Sequence, residues 1–318
     1  MWIYIAKRVL YTIPISLGVS LVCFCLVYLA PGDPAASLIP PDASAADIAT
    51  IRQLYGFDQP VPVQFARWLW RASHGDFGTS LQTGRPVLVE VSGALANTAS
   101  LAAGAAIIAF ALALLAGTLA AWYRGRLIER VITTVSTLGI SMPSYWLGIV
   151  LIIVFAVKLR WLPATGMGNG DAATFSWFDW NDVRFAVLPM LTMALLPLGV
   201  VMRSTRAALA DTLAQDFMQV LRAKGLAPHA LMRHALRNAL PQVLAVMGLQ
   251  LGYLTGGSIL IETIFTWPGT GFLLSKAILT RDVPLLQGTV LILALTFVFI
   301  NLAVDVLQTF ADPRLQRQ

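Results

Sequence analysis

Charged residues are scarce in this sequence. Only 12% of its 318 residues are Asp, Glu, Lys or Arg, and 57% are hydrophobic, whereas a soluble domain contains about 25% charged residues. This composition excludes an ordinary soluble domain and indicates a polytopic membrane protein. The net charge of +6 does not indicate a nucleic-acid partner, because excess basic residues in a membrane protein mark its cytoplasmic loops.

Residues that commonly carry chemistry are also few. Cys23 and Cys25 point about 200° apart on a helix and cannot pair with each other. The three histidines lie outside the apolar runs, so no span supplies a base for an intramembrane serine, and no Cys/His cluster suits a metal. None of the lysines follows a glycine, which excludes a phosphate-binding loop. We therefore expect no catalytic site, no metal, no cofactor bound by this chain and no ATPase site of its own.

Long apolar runs dominate the sequence instead. Each has about 18–27 residues, enough to cross about 30 Å of hydrocarbon as a helix, and a bare backbone cannot be satisfied in lipid. The runs lie at residues 9–30, 98–122, 131–157, 185–203, 242–264 and 286–305. The sequence therefore predicts an all-α, polytopic membrane protein with six transmembrane helices.

The charged residues predict the orientation of these spans. The first run follows Lys7 and Arg8 and is longer than the apolar part of a signal peptide, so we expect a retained helix with its amino end in the cytoplasm. Thirteen of the 22 basic residues then lie in short inner segments, and eleven of the 16 acidic residues lie outside. The positive-inside rule thus predicts that both termini are cytoplasmic.

Four segments follow from the spans. Residues 1–30 hold the amino-terminal region and the first helix, 31–97 an extracytoplasmic region with short helices, 98–308 a five-helix core with the cytoplasmic loop 204–240, and 309–318 a cytoplasmic tail.

The extracytoplasmic region contains two helix signals. Ser44 to Asp47 form a capping box that predicts a short helix ending at Gly56. The stretch VPVQFARWLWRASHGDFGTS predicts an amphipathic helix with Phe65, Trp68 and Leu69 on one side. This helix either lies on the bilayer or forms a docking or gating surface.

Two other outer loops have distinctive compositions. The loop 158–184 is polar and aromatic, and its rings either anchor it at the headgroups or stack on a ligand. The segment from Glu262 to Pro284 combines glycines and a proline with a short apolar run. Because that run is too short to span, we expect a re-entrant or surface-lying helix.

The loop 204–240 predicts two helices that meet at Gly225. In the first, Leu213, Phe217, Val220 and Leu221 share a face, and Gly225 suits a left-handed helix end. In the second, Pro228 suits the first turn. Its predicted apolar stripe is Met232, Leu236, Ala239 and Leu240, and His229, Arg233 and Arg237 lie opposite. Three interpretations of this loop are open. It is either a solvated basic segment that touches anionic lipid or a docking element for a soluble partner. The third, a helix-turn-helix that binds nucleic acid, is disfavoured because both helices run directly into spans.

The span interiors hold almost no ionisable residues, and Glu262 and Asp305 lie near span ends. This argues against a proton-coupled secondary transporter, while sodium coupling through backbone carbonyls stays open. A membrane channel without ion-coupling residues or an ATP site needs an energy source supplied by another protein.

Several stretches together resemble one family. They are DFMQVLRAKGLAPHALMRHALRNALPQVL, YGFDQPVPVQFARWLWRASHGDFGTSLQTGRPV, MPSYWLGIVLIIVFAVKLRWLPATG, ETIFTWPGTG, RDVPLLQG and the terminal DPR. The chain resembles the inner-membrane permease subunits of ATP-binding-cassette importers for dipeptides, oligopeptides and nickel, in particular the B-type subunit of the permease pair. The family's usual Glu-Ala-Ala start is absent, and the matching turn has Leu221-Arg222-Ala223-Lys224-Gly225, so only the glycine-centred part is carried over.

The resemblance implies a type I importer permease fold in the bacterial cytoplasmic (inner) membrane and a docking loop for an ATPase subunit. The docking residues it implies are Asp216, Phe217, Gln219, Val220, Leu221, Arg222, Ala223, Lys224, Gly225 and Leu226. It also implies a second, different permease subunit, two ATP-binding subunits that hold ATP and Mg, and an extracytoplasmic substrate-binding protein, besides membrane lipid. Dipeptides, oligopeptides, nickel chelates and glutathione-like cargo all fit, and an ion-coupled secondary transporter acting alone is the alternative.

A translocation path or gate is predicted from polar and turn-forming positions in or near the spans. These are Ser141, Pro143, Ser144, Gln250, Glu262, Phe265, Trp267, Pro268 and Gly269. The same polar groups could serve ordinary interhelical hydrogen bonding, and the stretch from Glu262 to Gly271 could be a static turn.

Overall fold

The fold is described from a computed structural model. It describes residues 2–29, 58–168 and 175–311, with isolated positions at 44–46, 49–50 and 53, and the side chains of residues 2–8, 26–29, 305 and 307–311 are not described. The predicted helix from Ser44 to Gly56 therefore lies largely outside the described residues.

The described residues are mainly helical, and their extended structure is an isolated bridge between Thr79 and Pro86. The helices are α1 Trp2–Leu29, α2 Val61–Ser73, α3 Val87–Trp122, α4 Leu127–Ser141, α5 Ser144–Leu151, a π-helix Ile152–Lys158, α6 Trp180–Leu213, α7 Asp216–Ala223, α8 Pro228–Gly256, α9 Ile259–Phe265, α10 Thr270–Thr280 and α11 Val283–Ala311.

Three helices within the described residues, α3, α6 and α11, are long and apolar enough to cross a membrane. Two bent pairs, α4 with α5 and the π-helix, and α8 with α9, raise the number to five. The described side chains of α1 add a shorter apolar helix, Val9–Cys25. The all-α fold is confirmed, while the count of six spans and the cytoplasmic termini stay predictions.

Helix α6 lies at the centre of the bundle. In its most apolar stretch 61% of the residues are buried, compared with 39% in α3 and 28% in α11. The face of α3 towards α6 carries Ala105, Ala109 and Ala113, each fully buried. Small side chains four residues apart let two helices approach closely. Packing between α3 and α6 therefore forms the core on which the other helices are placed.

Two spans that the sequence predicts as continuous are broken. The segment 131–157 bends by 101° at Met142 and Pro143, and 242–264 bends by 49° at Gly257 and Ser258. Pro143 has no N–H to continue the helix ladder. Hydropathy continues across both breaks because it does not depend on backbone direction, so the prediction of two unbroken helices is wrong.

The amphipathic helix α2 forms as predicted, with Trp68 buried and Phe65 and Leu69 beside it. Its apolar side packs on Phe24 of α1 and Leu291 of α11. This face is therefore occupied by helices of the same chain, and the outward face is left for lipid or a partner.

The outer loops are fixed to the bundle at defined points. In the aromatic loop, Phe175 is buried and contacts Trp267, with ring centroids 5.5 Å apart and ring planes tilted by 59°, while Trp177, Phe178 and Trp180 are exposed. The segment before α3 is tied to the start of α11, because Asp282 accepts hydrogen bonds from Ser80 Oγ at 2.6 Å and from the Leu285 N–H at 3.1 Å. Helix α10 packs on α3, α9 and α11, as a short helix beside the spans.

Candidate functional site

The α7 turn, defined as residues 214–227, is a short helix held between two long ones. Helix α6 ends at Leu213 and α7 begins at Asp216. Gly225 has φ = +77°. The Gly225 N–H donates to Arg222 O at 2.9 Å and the Leu226 N–H donates to Leu221 O at 3.3 Å. These two bonds form a Schellman motif, so the glycine-ended helix is confirmed.

The faces of α7 differ from those predicted. Met218 is fully buried in a cluster with Leu209 and Leu231, whereas Phe217 is 37% exposed and Val220 is 53% exposed. The prediction that Phe217 and Val220 share one helical face with Leu213 is wrong, because Ala214 and Gln215 interrupt the helix and change its phase.

The other predicted docking residues also lie on the surface of the α7 turn. Asp216, Gln219, Arg222, Ala223, Lys224 and Gly225 are exposed, and Leu221 and Leu226 are half-buried. The turn thus presents two exposed apolar side chains surrounded by polar and charged groups.

Helix α8 returns the chain to the bundle. Leu231, Ala235, Ala239 and Val243 are buried at four-residue spacing. Of the predicted stripe, Ala239 is buried and Met232 and Leu236 are half-buried against the same cluster, whereas Leu240 is 44% exposed. His229, Arg233 and Arg237 are exposed, as predicted.

An ion pair that the sequence reasoning missed lies near the α7 turn. The Glu129 carboxylate accepts from Arg206 Nε at 2.8 Å and from Arg206 Nη2, and the Gly125 N–H donates to it at 2.5 Å. We call Gly125, Glu129 and Arg206 the Glu129 joint. It connects the turn before α4 to α6. The available signal was an isolated acid among Arg124, Arg126 and Arg130.

A second polar cluster connects the α9–α10 turn to α3. The fully buried Glu262 carboxylate accepts from Thr98 Oγ1 at 2.8 Å and from the Gly271 N–H at 2.6 Å. The Thr270 N–H donates to Thr98 Oγ1 at 2.8 Å, and the Trp267 indole N–H donates to Asn97 O at 3.1 Å. We call these residues the Glu262 joint.

The Glu262 joint brings together part of the predicted path or gate. Glu262 and Trp267 are buried members of it, the buried Gly269 lies against Glu262 and Thr98, and Pro268 O accepts from Asn97 Nδ2 at 3.0 Å. Phe265 is buried in the same apolar cluster as Trp267. Asn97 and Thr98 were missed, although two polar residues at the start of an apolar run were a usable signal.

The remaining path candidates lie elsewhere. Ser141 and Pro143 lie at the bend after α4, where Ser141 is exposed, and Ser144 and Gln250 are at most partly exposed. Ser144 lines a small gap together with Tyr253 and Ile261. The predicted path residues thus lie at the Glu262 joint, at the bend around Pro143 and, for Gln250, on α8.

Comparison with protein families identifies the chain. The profile of the binding-protein-dependent transport system inner membrane component matches residues 113–317, and the profile of the amino-terminal part of such components matches residues 1–102. The chain belongs to this family. It is a multi-pass inner-membrane permease subunit of an ATP-binding-cassette importer, and such a subunit works with a partner permease, ATPase subunits and a binding protein.

Curated relatives match over nearly the whole chain. The dipeptide transport system permease protein DppB of Alkalihalophilus pseudofirmus is 35% identical, covering 98% of this chain and 99% of its own. The glutathione transport system permease protein GsiC of Salmonella paratyphi A is 40% identical, covering 98% of each. The probable peptide ABC transporter permease protein y4tP of Sinorhizobium fredii is 37% identical, covering 99% and 100%.

A solved structure has a similar fold. The MetNI methionine ABC transporter, in inward-facing conformations, matches with a TM-score of 0.57 at 16% identity, covering 70% of this chain and 96% of the matched chain. The likeness concerns the fold alone, and the type of fold that the sequence predicts is confirmed.

Proposed function

We propose that this subunit forms half of a translocation path for dipeptides or oligopeptides, paired with a second, different permease subunit. The relatives named for dipeptide, peptide and glutathione transport support a peptide-like substrate, since they match the chain from end to end. Two ATPase subunits bind ATP and Mg and supply the energy, and an extracytoplasmic binding protein delivers the substrate. The subunit itself hydrolyses no ATP and binds no cofactor.

The exposed α7 turn is the observation that carries the mechanism. Phe217 and Val220 are apolar, exposed and held on a helix of fixed ends. Exposed apolar side chains ringed by polar groups are typical of a protein interface. In the proposed mechanism they enter a groove on an ATPase subunit, while Arg222 and Lys224 supply polar contacts.

Alternating access follows from this docking. Closure of the ATPase pair on ATP moves the α7 turn, and the spans joined to it rock so that the path opens alternately outward and inward. The proposed path lies in the five-helix core, residues 98–308, rather than in the segments 1–30, 31–97 or 309–318. The groups at Ser141 to Ser144, Gln250 and the Glu262 joint are its proposed lining or gate.

Substitution of Gly225 tests the docking. A Cβ at Gly225 would meet nothing within 4 Å, so Gly225→Val acts through backbone conformation, which costs about 1–2 kcal/mol for an L-residue in the left-handed region. We expect at least a tenfold rise in ATP hydrolysed per peptide imported by proteoliposomes containing the whole complex. Gly225→Asn should keep normal coupling, because asparagine tolerates this conformation.

Gly84→Val is the matched control on the opposite side of the bundle. Gly84 also has a positive φ, +68°, and free space around it, so the same strain arises away from the α7 turn. Unchanged coupled transport in Gly225→Val, or equal uncoupling in Gly84→Val, would contradict the docking role. Transport driven by an ion gradient without ATP would support the secondary-transporter alternative instead.

A further inference from the structure

The Glu129 joint is more than a surface ion pair. The Glu129 side chain is 11% exposed and that of Arg206 is 34% exposed, and the carboxylate accepts from two guanidinium nitrogens and one backbone N–H. Breaking a shielded pair leaves an uncompensated charge. The two helices are therefore held together at this point.

Close contacts and a groove lie side by side where α4 packs on α6. A Cβ on Gly199 would lie 2.5 Å from Ile140 Cγ1, and one on Gly139 would lie 3.0 Å from Leu195 Cδ1. An apolar groove of about 210 Å³ lies between α4, α3 and α6, lined by residues such as Val131, Val135, Leu195 and Met202. Another polar tie between the two helices is the bond from Ser136 Oγ to Gly199 O at 3.1 Å.

The position of the joint connects the α7 turn to the outer part of the bundle. Arg206 precedes the end of α6 at Leu213 by about 10 Å along the helix, and Met218 of α7 packs on Leu209 of the same helix end. On the other side, α4 leads from Glu129 to the bend at Pro143. Beyond the bend, the Cα of Gly148 faces Phe265 closely, since a Cβ there would lie 3.2 Å from the ring.

We propose that Glu129 and Arg206 are positioning residues that transmit movement of the α7 turn to α4, and through the bend to the Glu262 joint. The proposal rests on the docking role of the α7 turn. In this arrangement a displacement of α6 by the ATPase subunits carries α4 with it, because the ion pair fixes the start of α4 to α6. Without the pair, the start of α4 lies about two turns from the Ser136 bond and the glycine contacts with α6, so it can lag behind α6 while the ATPase cycle continues.

The test measures ATP hydrolysed per peptide imported by the whole complex in proteoliposomes. Glu129→Gln and Arg206→Gln should each raise this ratio at least fivefold. The double variant should be no worse than either single one, because residues that act as a pair are non-additive. Arg206→Lys should be intermediate, since lysine keeps the charge but lacks the fork of donors. Arg203→Gln, at an exposed position one turn earlier on α6, is the matched control and should leave the ratio unchanged.

Two results separate this proposal from the docking it rests on. Cross-linking of Val220→Cys to the ATPase subunit reports docking directly. If cross-linking persists in the Glu129 and Arg206 variants but their ratios are unchanged, or their effects multiply as independent changes, the transmission role is overturned and docking stands. If Val220→Cys fails to cross-link in an otherwise unaltered chain, both are overturned. Lower abundance with an unchanged ratio would show a purely structural role and would also overturn the proposal.

Discussion

Gly269 lies in the middle of the Glu262 joint, where no space is left for a side chain. A Cβ there would lie 2.5 Å from Glu262 Cδ and 2.5 Å from Thr98 Oγ1, and both neighbours are fixed by hydrogen bonds. We expect Gly269→Ala to destabilise the protein by about 1–3 kcal/mol through overpacking, seen as a lower midpoint of thermal unfolding in detergent.

Gly93→Ala is the matched control for Gly269→Ala. Gly93 lies within α3, and a Cβ added there would meet nothing within 4 Å. Alanine at this position should therefore be neutral or stabilise the protein by about 0.5–1 kcal/mol. Equal unfolding midpoints for the two variants would contradict the close packing of the Glu262 joint.

The two faces of α7 have different expected roles. The buried face contributes to folding stability, and the exposed face contributes to binding. Met218 is fully buried, so Met218→Ala should cost about 2–5 kcal/mol of folding stability. Phe217 is 37% exposed, so Phe217→Ala should leave the unfolding midpoint nearly unchanged. If Phe217 is an interface anchor, its loss should weaken binding of the ATPase subunits by about 1–2 kcal/mol, which is about 5- to 30-fold.

The two α7 variants require two measurements on the same preparations, thermal unfolding of the subunit and its affinity for purified ATPase subunits. An affinity loss for Met218→Ala alone, with none for Phe217→Ala, would place the docking surface elsewhere.

The sequence predicts that the cytoplasmic loop forms two helices, but it does not predict where the first of them begins. The helix-glycine-helix form of the loop was predictable, because Gly225 and Pro228 impose local backbone conformations. The phase of its faces was not, because the break at Ala214 and Gln215 has no glycine or proline to signal it. A two-residue interruption rotates every later side chain, so Phe217 does not continue the face of Leu213 and Met218 is the residue that faces inward.

For the whole molecule, the orientation of the spans has a direct test. After Cys23 and Cys25 are replaced by alanine, the chain has no other cysteine. We expect a membrane-impermeant thiol reagent to label Gln82→Cys from the outside of intact cells. His234→Cys and Gln316→Cys should react only after the membrane is opened, and labelling of either in intact cells would contradict the predicted six spans.

The main spans followed from the sequence because they depend on hydropathy over many residues, and the family followed from motifs spread over nearly the whole chain. The two joints did not, since they depend on pairs such as Thr98 with Glu262 and Glu129 with Arg206, which lie far apart in the chain. A single sequence gives no sign that two distant polar residues meet. Each was visible only as an isolated polar residue near the end of an apolar run.

The Glu262 joint also sets an order of events during synthesis. Thr98 and Thr270 are separated by 172 residues, and chains grow at about 5–20 residues per second, so about 9–34 s pass between their syntheses. During that interval α3 is made but Asn97 and Thr98 lack their partners in α9 and α10. The outer end of α3 therefore reaches its final hydrogen bonding only when most of the chain has been synthesised, which makes it a late-forming part of the permease.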